Sequence, residues 1–199
     1  MAVITFEAQP HRAFKPLAAI GIIAMGRLIW RKMALLLRNH PLSEEGMNKE
    51  TVVYKTVSNL DIRLDVYTPQ GLPEESPTLL WIHGGAMIGG SRGDDRTVQF
   101  RRYFDAGYRM ISIDYRLAPE TKLPGIIADV RDAVDWIYDR GWNRLGAIGH
   151  SAGGYLALMT GAFPNRPQAI VSFYGYGNFV GDWLSKPDPF YCAKPKVTK

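Results

Sequence analysis

The chain has 199 residues, 46% of them apolar and 12% aromatic, which suits one domain with a sizeable core and argues against wholesale disorder. Its net charge of +5 resides in the first forty residues, where Arg12, Lys15, Arg27, Arg31, Lys32 and Arg38 face only Glu7. From residue 41 onward eighteen bases balance eighteen acids, so the body of the chain offers no basic face for nucleic acid. Cys192 is the only cysteine, which excludes an intrachain disulfide and fits a reducing, cytoplasmic compartment.

Residues 1–48 read as a basic, apolar, helical extension and linker. Leu17–Gly26 is an uninterrupted apolar run flanked by bases, too short for a bilayer, which needs about 20 residues. Residues 17–38 read as an amphipathic helix with a wide apolar face (Ile20, Ile23, Leu28, Met33, Leu35, Leu36). Such a helix packs on the domain or makes peripheral contact with a membrane surface. A signal peptide is the third reading, but no small-x-small cleavage site closes the run.

Residues 49–191 carry the fold signals. Residues 51–57 and 61–68 alternate apolar with polar around Ser58-Asn59-Leu60 and predict an antiparallel hairpin. Thr78–Ile82 is a continuous apolar run, as in a strand buried on both faces. A helix is predicted over 95–106, with Val98, Phe100, Tyr103 and Phe104 as its apolar positions and Gly107 as its stop. A strand follows at 108–114, then a strongly amphipathic helix over 126–138. Residues 144–148 and 169–174 are the remaining strands, and 192–199 form a polar tail. Two antiparallel strands followed by strand–helix alternation predict an α/β fold, a mostly parallel sheet with helices on both faces.

Two glycine-rich turns carry the chemistry. Gly149-His150-Ser151-Ala152-Gly153-Gly154 lies between a strand and a helix, with Ser151 at the tip of a turn so tight that its flanking glycines are required. His83-Gly84-Gly85-Ala86 ends another buried strand. Carboxyl ends of parallel strands are where ligands sit. The backbone N–H groups of Gly84, Gly85 and Ala152 would then converge on one oxyanion. Asp114 reads as a strand-end residue bonding nearby backbone, and Arg116 with Glu120 as a structural ion pair. Trp136, Trp142, Phe173 and Tyr174 read as core.

His83-Gly84-Gly85, Asp114-Tyr-Arg-Leu-Ala-Pro-Glu120 and Gly-x-Ser151-Ala-Gly-Gly154, in that order, resemble the α/β-hydrolase fold, and within it the hormone-sensitive-lipase-like esterase branch. The resemblance spans roughly residues 50–191, with Asp182-Trp183 and 187–191 resembling the start of a cap region. It implies Ser151 as acyl nucleophile, Gly84, Gly85 and Ala152 as oxyanion donors beside His83, and carboxylic esters with small or medium acyl groups as substrates. It implies no metal and no cofactor. Ala86 stands where the family usually has glycine, and His150 where many members carry an acid.

A serine hydroxyl needs a histidine base, itself oriented by a carboxylate. In this fold the order is serine, acid, histidine, yet no histidine follows Ser151, and the only later acids are Asp182 and Asp188. His11 and His40 lie in the extension. The expectation is therefore an esterase-type core lacking its last strands, with a serine nucleophile but an incomplete triad. Three functions compete: a serine esterase of weak activity, a non-catalytic binder of an ester-like or hydrophobic small molecule, and an interaction module. The last would self-associate through an open sheet edge at 169–174.

Overall fold

The computed structural model describes residues 2–5, 46–93, 97–178, 181, 186–187 and 189–192. The extension helix expected over 17–38, Asp182-Trp183, Asp188 and the tail at 193–199 lie outside these residues. Strands β1 (Ala2–Thr5), β2 (Met47–Val57), β3 (Leu60–Pro69) and β4 (Thr78–Ile82) come first, then helix α1 (Thr97–Asp105) and β5 (Arg109–Ile113). After these come α2 (Leu123–Asp139), β6 (Leu145–His150), α3 (Ala152–Met159), a 3₁₀ turn at Thr160–Ala162, β7 (Ala169–Phe173) and a short α4 (Pro189–Cys192).

The strands form one sheet of seven in the order β1-β7-β6-β4-β5-β3-β2. Strand β4 pairs in parallel with both β5 and β6, and β6 with β7. The β2–β3 hairpin joins this parallel core antiparallel to β5. Its turn places Ser58 and Asn59 at φ of 48° and 68°, the two left-handed residues a two-residue hairpin turn requires. Strand β2 begins four residues before the alternating pattern that predicts it.

Strand periodicity sorts the core onto two faces. Leu80 and Ile82 of β4, Ile111 and Ile113 of β5, and Leu145 and Ala147 of β6 meet Ile126, Val130, Ala133, Val134 and Ile137 of α2, and Leu156 of α3. Trp81, Met110 and Ile148, one residue out of phase, meet Phe100 and Phe104 of α1 on the other face. Helix α2 starts with proline in its first turn and stops at Gly141, whose φ is +77°.

Two expectations are corrected. The strand at 169–173 is not an edge: β1 runs antiparallel along it, pairing Ala2 with Ser172 and Thr5 with Ala169. Pairing satisfies the row of backbone groups that an open edge would leave exposed. Tyr174 is not core either. It follows the end of β7, is 74% exposed and has a φ of 44°. Trp136 and Trp142 do pack edge-on against each other at the rim of the α2 core, and Phe173 is half-buried against the α1 face.

Candidate active site

At the carboxyl end of β6 the chain reverses through Ser151 at φ 52°, ψ −118°, and enters α3 directly. A non-glycine residue held there stores strain of order 1–3 kcal/mol, which the surroundings must enforce. They do so by close approach. A side chain on Gly149 would overlap the Gly153 carbonyl, and one on Gly153 would overlap the carbonyls of Ile82 and His83 at the end of β4. The Ser151 N–H donates to Phe173 O at 2.9 Å, and its carbonyl accepts from Tyr155 N at 3.1 Å to start the helix. First-turn amides such as that of Ala152 have no intrahelical partner, so the elbow opens onto a favourable place for negative charge.

The loop after β4 lies against this elbow. A Cβ added to Gly84 would sit 3.5 Å from the Ser151 Cβ and 3.0 Å from the His150 carbonyl. Gly84 is buried, and Gly85 and Ala86 are exposed. Gly85, Ala86 and Met87 have φ of 102°, 53° and 62°. Of the six non-glycine residues with positive φ among the described residues, Ala86, Met87, Ser151 and Tyr174 lie at this end of the sheet. The structure therefore sets Gly84 against the Ser151 elbow, with Ala152 next in the chain and Gly85 following in the loop.

The histidines are held elsewhere. His150 follows the phase of Ile148 and points to the α1 face, its ring 4.6 Å from Trp81 and 5.0 Å from Phe173, edge-on to both, with Tyr174 tilted over it at 5.2 Å. His83 is 2% exposed, stacked on Tyr115 at 4.1 Å, and its Nδ1 lies 2.7 Å from the Gly84 carbonyl. Among the described residues no side chain hydrogen-bonds to the Ser151 hydroxyl. His11 and His40 lie outside them.

Two ionic clusters brace the loops, and sequence reasoning saw neither. Arg116 does not pair with Glu120. Its guanidinium grips Asp129 of α2 through Nε at 2.8 Å and Nη2 at 2.7 Å, and Lys55 of β2 reaches both Asp129 and Asp132. Asp129 sits on the apolar face of its helix, fully buried, so it outcompetes the exposed Glu120 for the cation. Ala118, two residues beyond Arg116, donates its N–H to Met87 O at 2.8 Å and so ties this segment to the glycine loop. The second cluster centres on Arg92. Its side chain bridges Asp65 (3.0 Å) and Asp114, its N–H donates to Asp114 at 2.8 Å, and its carbonyl accepts from Ser112 Oγ at 2.8 Å. Asp114 thus bonds backbone as expected, and holds a cation as well.

Burial alone would push the carboxyls of Asp65 and Asp129 up. Hydrogen bonds from Thr51, Lys49 and Arg92 to the first, and from Arg116 and Lys55 to the second, overcome this and hold both below the ordinary carboxylate range. A depressed folded-state pKa contributes stability that is complete above the unfolded value, near 3.9, and is lost as pH falls through the folded one. Denaturant midpoints are expected to hold steady from pH 7 to 5 and to fall below about pH 4. Asp65→Asn and Asp129→Asn should each flatten that fall.

The BD-FAE family model matches residues 64–175, which hold both glycine turns and the segment between them. A non-reducing polyketide synthase of Penicillium brevicompactum, mapC, is 36% identical over 164 residues, covering 71% of this chain and 7% of that protein. Another, atr1 of Stereocaulon alpinum, is 38% identical and covers 73% of this chain and 7% of that protein. The chain thus spans less than a tenth of the length of these curated relatives. Among solved structures, Thermogutta terrifontis esterase 2 phosphorylated by paraoxon overlays with a TM-score of 0.48 at 28% identity, over 56% of this chain and 46% of that one. Its butyrate-bound form gives 0.48 at 30% identity, over 56% and 43%. With more than half its length under one family model and its strands in this order, the chain belongs to the BD-FAE family, in the hormone-sensitive-lipase-like esterase branch of the α/β-hydrolase fold.

Proposed function

We propose that the chain is a serine hydrolase of carboxylic esters of small or medium molecules, acting through an acyl-enzyme on Ser151. The observation that carries this reading is the strained Ser151 turn with Gly84 packed beside its Cβ. In the first step the Ser151 oxygen adds to the ester carbonyl carbon, the carbonyl oxygen takes up negative charge, and the alcohol then departs with a proton. Backbone N–H groups of Gly84, Gly85 and Ala152 are the donors proposed for that oxygen. Because the curated relatives are non-reducing polyketide synthases, polyketide acyl esters join the candidate substrates.

The proton on Ser151 requires a base, and no histidine follows it in these 199 residues. Without a base, the oxyanion donors and binding alone leave about 10³–10⁴-fold acceleration over water. Purified 1–199 is therefore expected to turn over p-nitrophenyl acetate and butyrate barely above background, and to be labelled slowly by a fluorophosphonate at Ser151. Ser151→Ala should abolish the label. Esterase-level turnover that Ser151→Ala removes would overturn the low-activity reading. A complete absence of label would overturn the serine reading and favour the alternative, a pocket that binds an ester-like molecule without reaction.

A further inference from the structure

The two peptide units that would supply the loop's oxyanion donors are both held from behind, and one side chain touches both. The Tyr115 hydroxyl donates to the His83 carbonyl at 2.9 Å and lies 3.4 Å from the Gly84 carbonyl. In a trans peptide the C=O and the N–H of one unit point in opposite directions. Holding the His83 carbonyl toward Tyr115 therefore turns the Gly84 N–H away from it. Holding the Gly84 carbonyl inward does the same for the N–H of the exposed Gly85. His83 contributes to the second unit through its Nδ1, 2.7 Å from the Gly84 carbonyl.

Tyr115 is itself fixed. It is 3% exposed, and its ring lies parallel to that of His83 at 8°. Its chain neighbours, Asp114 and Arg116, are clamped to Arg92 and Asp129. The glycine loop needs such a hold because it runs through three consecutive left-handed residues, a conformation it does not favour by itself. We infer that Tyr115 is a positioning residue for the oxyanion loop: its hydroxyl sets the direction of the Gly84 and Gly85 N–H groups without touching the substrate. The inference rests on Ser151 being the nucleophile proposed above.

Tyr115→Phe keeps the stacked ring and removes only the hydroxyl. Tyr54→Phe is the control, since Tyr54 also donates from a largely buried position, to the Asp114 carbonyl at 2.7 Å, and does not touch the glycine loop. The readouts are the rate of fluorophosphonate labelling at Ser151 and the exchange of the Ile88 and Gly89 amides, both bonded to the Gly85 carbonyl at 3.0 Å. Tyr115→Phe should slow labelling roughly tenfold or more and speed exchange at these amides. Tyr54→Phe should lower the melting temperature comparably and leave both readouts within twofold. An unchanged labelling rate in Tyr115→Phe, or an equal loss in Tyr54→Phe, overturns the inference. If the wild type takes no label, the nucleophile reading falls and the amide exchange decides alone: unchanged exchange in Tyr115→Phe then sinks the positioning role.

Discussion

Replacing Asp129 by alanine is expected to destabilise the fold by about 3–5 kcal/mol, because it strands two cations against the sheet. Arg116 would lose both guanidinium bonds to Asp129 and a backbone N–H partner, keeping only a 3.4 Å bond to the Gly125 carbonyl, and Lys55 would keep only Asp132. The loss is large because the carboxylate is fully buried at the joint of β2, α2 and the segment after β5. At this chain length it corresponds to a melting point lower by roughly 6–20 °C. Asp129→Asn, which keeps the volume and some hydrogen bonding, should recover part of it. Glu120→Ala should stay within about 0.5 kcal/mol, as for an exposed surface side chain. Thermal unfolding of the three variants decides the matter. Equal effects at 120 and 129 would sink the assignment of the pair.

Gly153→Ala is the second large effect, and it acts by collision. The new methyl would overlap the carbonyls of both Ile82 and His83, backbone atoms at the end of a central strand that cannot rotate aside. Either α3 lifts from β4 or the strand end shifts, and each movement separates Ser151 from the glycine loop. Overpacking against backbone of this kind costs about 3 kcal/mol or more. A control is Gly177→Ala, where nothing lies within 4 Å of the added carbon. Calorimetry should give a melting point lower by roughly 6–12 °C for Gly153→Ala and little change for Gly177→Ala. The label at Ser151 should disappear in the first variant and persist in the second. Matching curves for the two would show that the elbow has room that its geometry denies.

Much of the architecture is written in local pattern. Leu79–Ile82 and Leu145–Ile148 carry no polar side chain because both of their faces are covered, and the helix-period stripe of α2 faces one of those sides. The elbow was legible for a different reason: two glycines around a serine at a strand–helix junction mark a place where backbones touch. What stayed hidden depends on distant partners. Asp129 falls on the apolar stripe of α2, at the spacing of Ile126 and Ala133, which in hindsight is the sequence signature of a buried acid. Nothing local says that its cations come from Arg116 and Lys55. Arg92 likewise follows an unremarkable glycine-rich turn, and its value lies in reaching Asp65 on one side and Asp114 on the other. Glu120 was the nearer acid to Arg116 in the chain, but a buried partner interacts more strongly than an exposed one.

Strand β1 has a bearing on the order of assembly. It pairs with β7, so Thr5 must find Ala169 across nearly the whole of the described core, while β2, the next strand in the chain, joins the opposite edge of the same sheet. The entropy of closing so long a loop rises only slowly with length, but none of it is recovered until the partner strand exists. The partner exists only once β6 and β4 have laid down the centre. Strand β1, the first of the described strands in chain order, is thus expected to be among the last to dock.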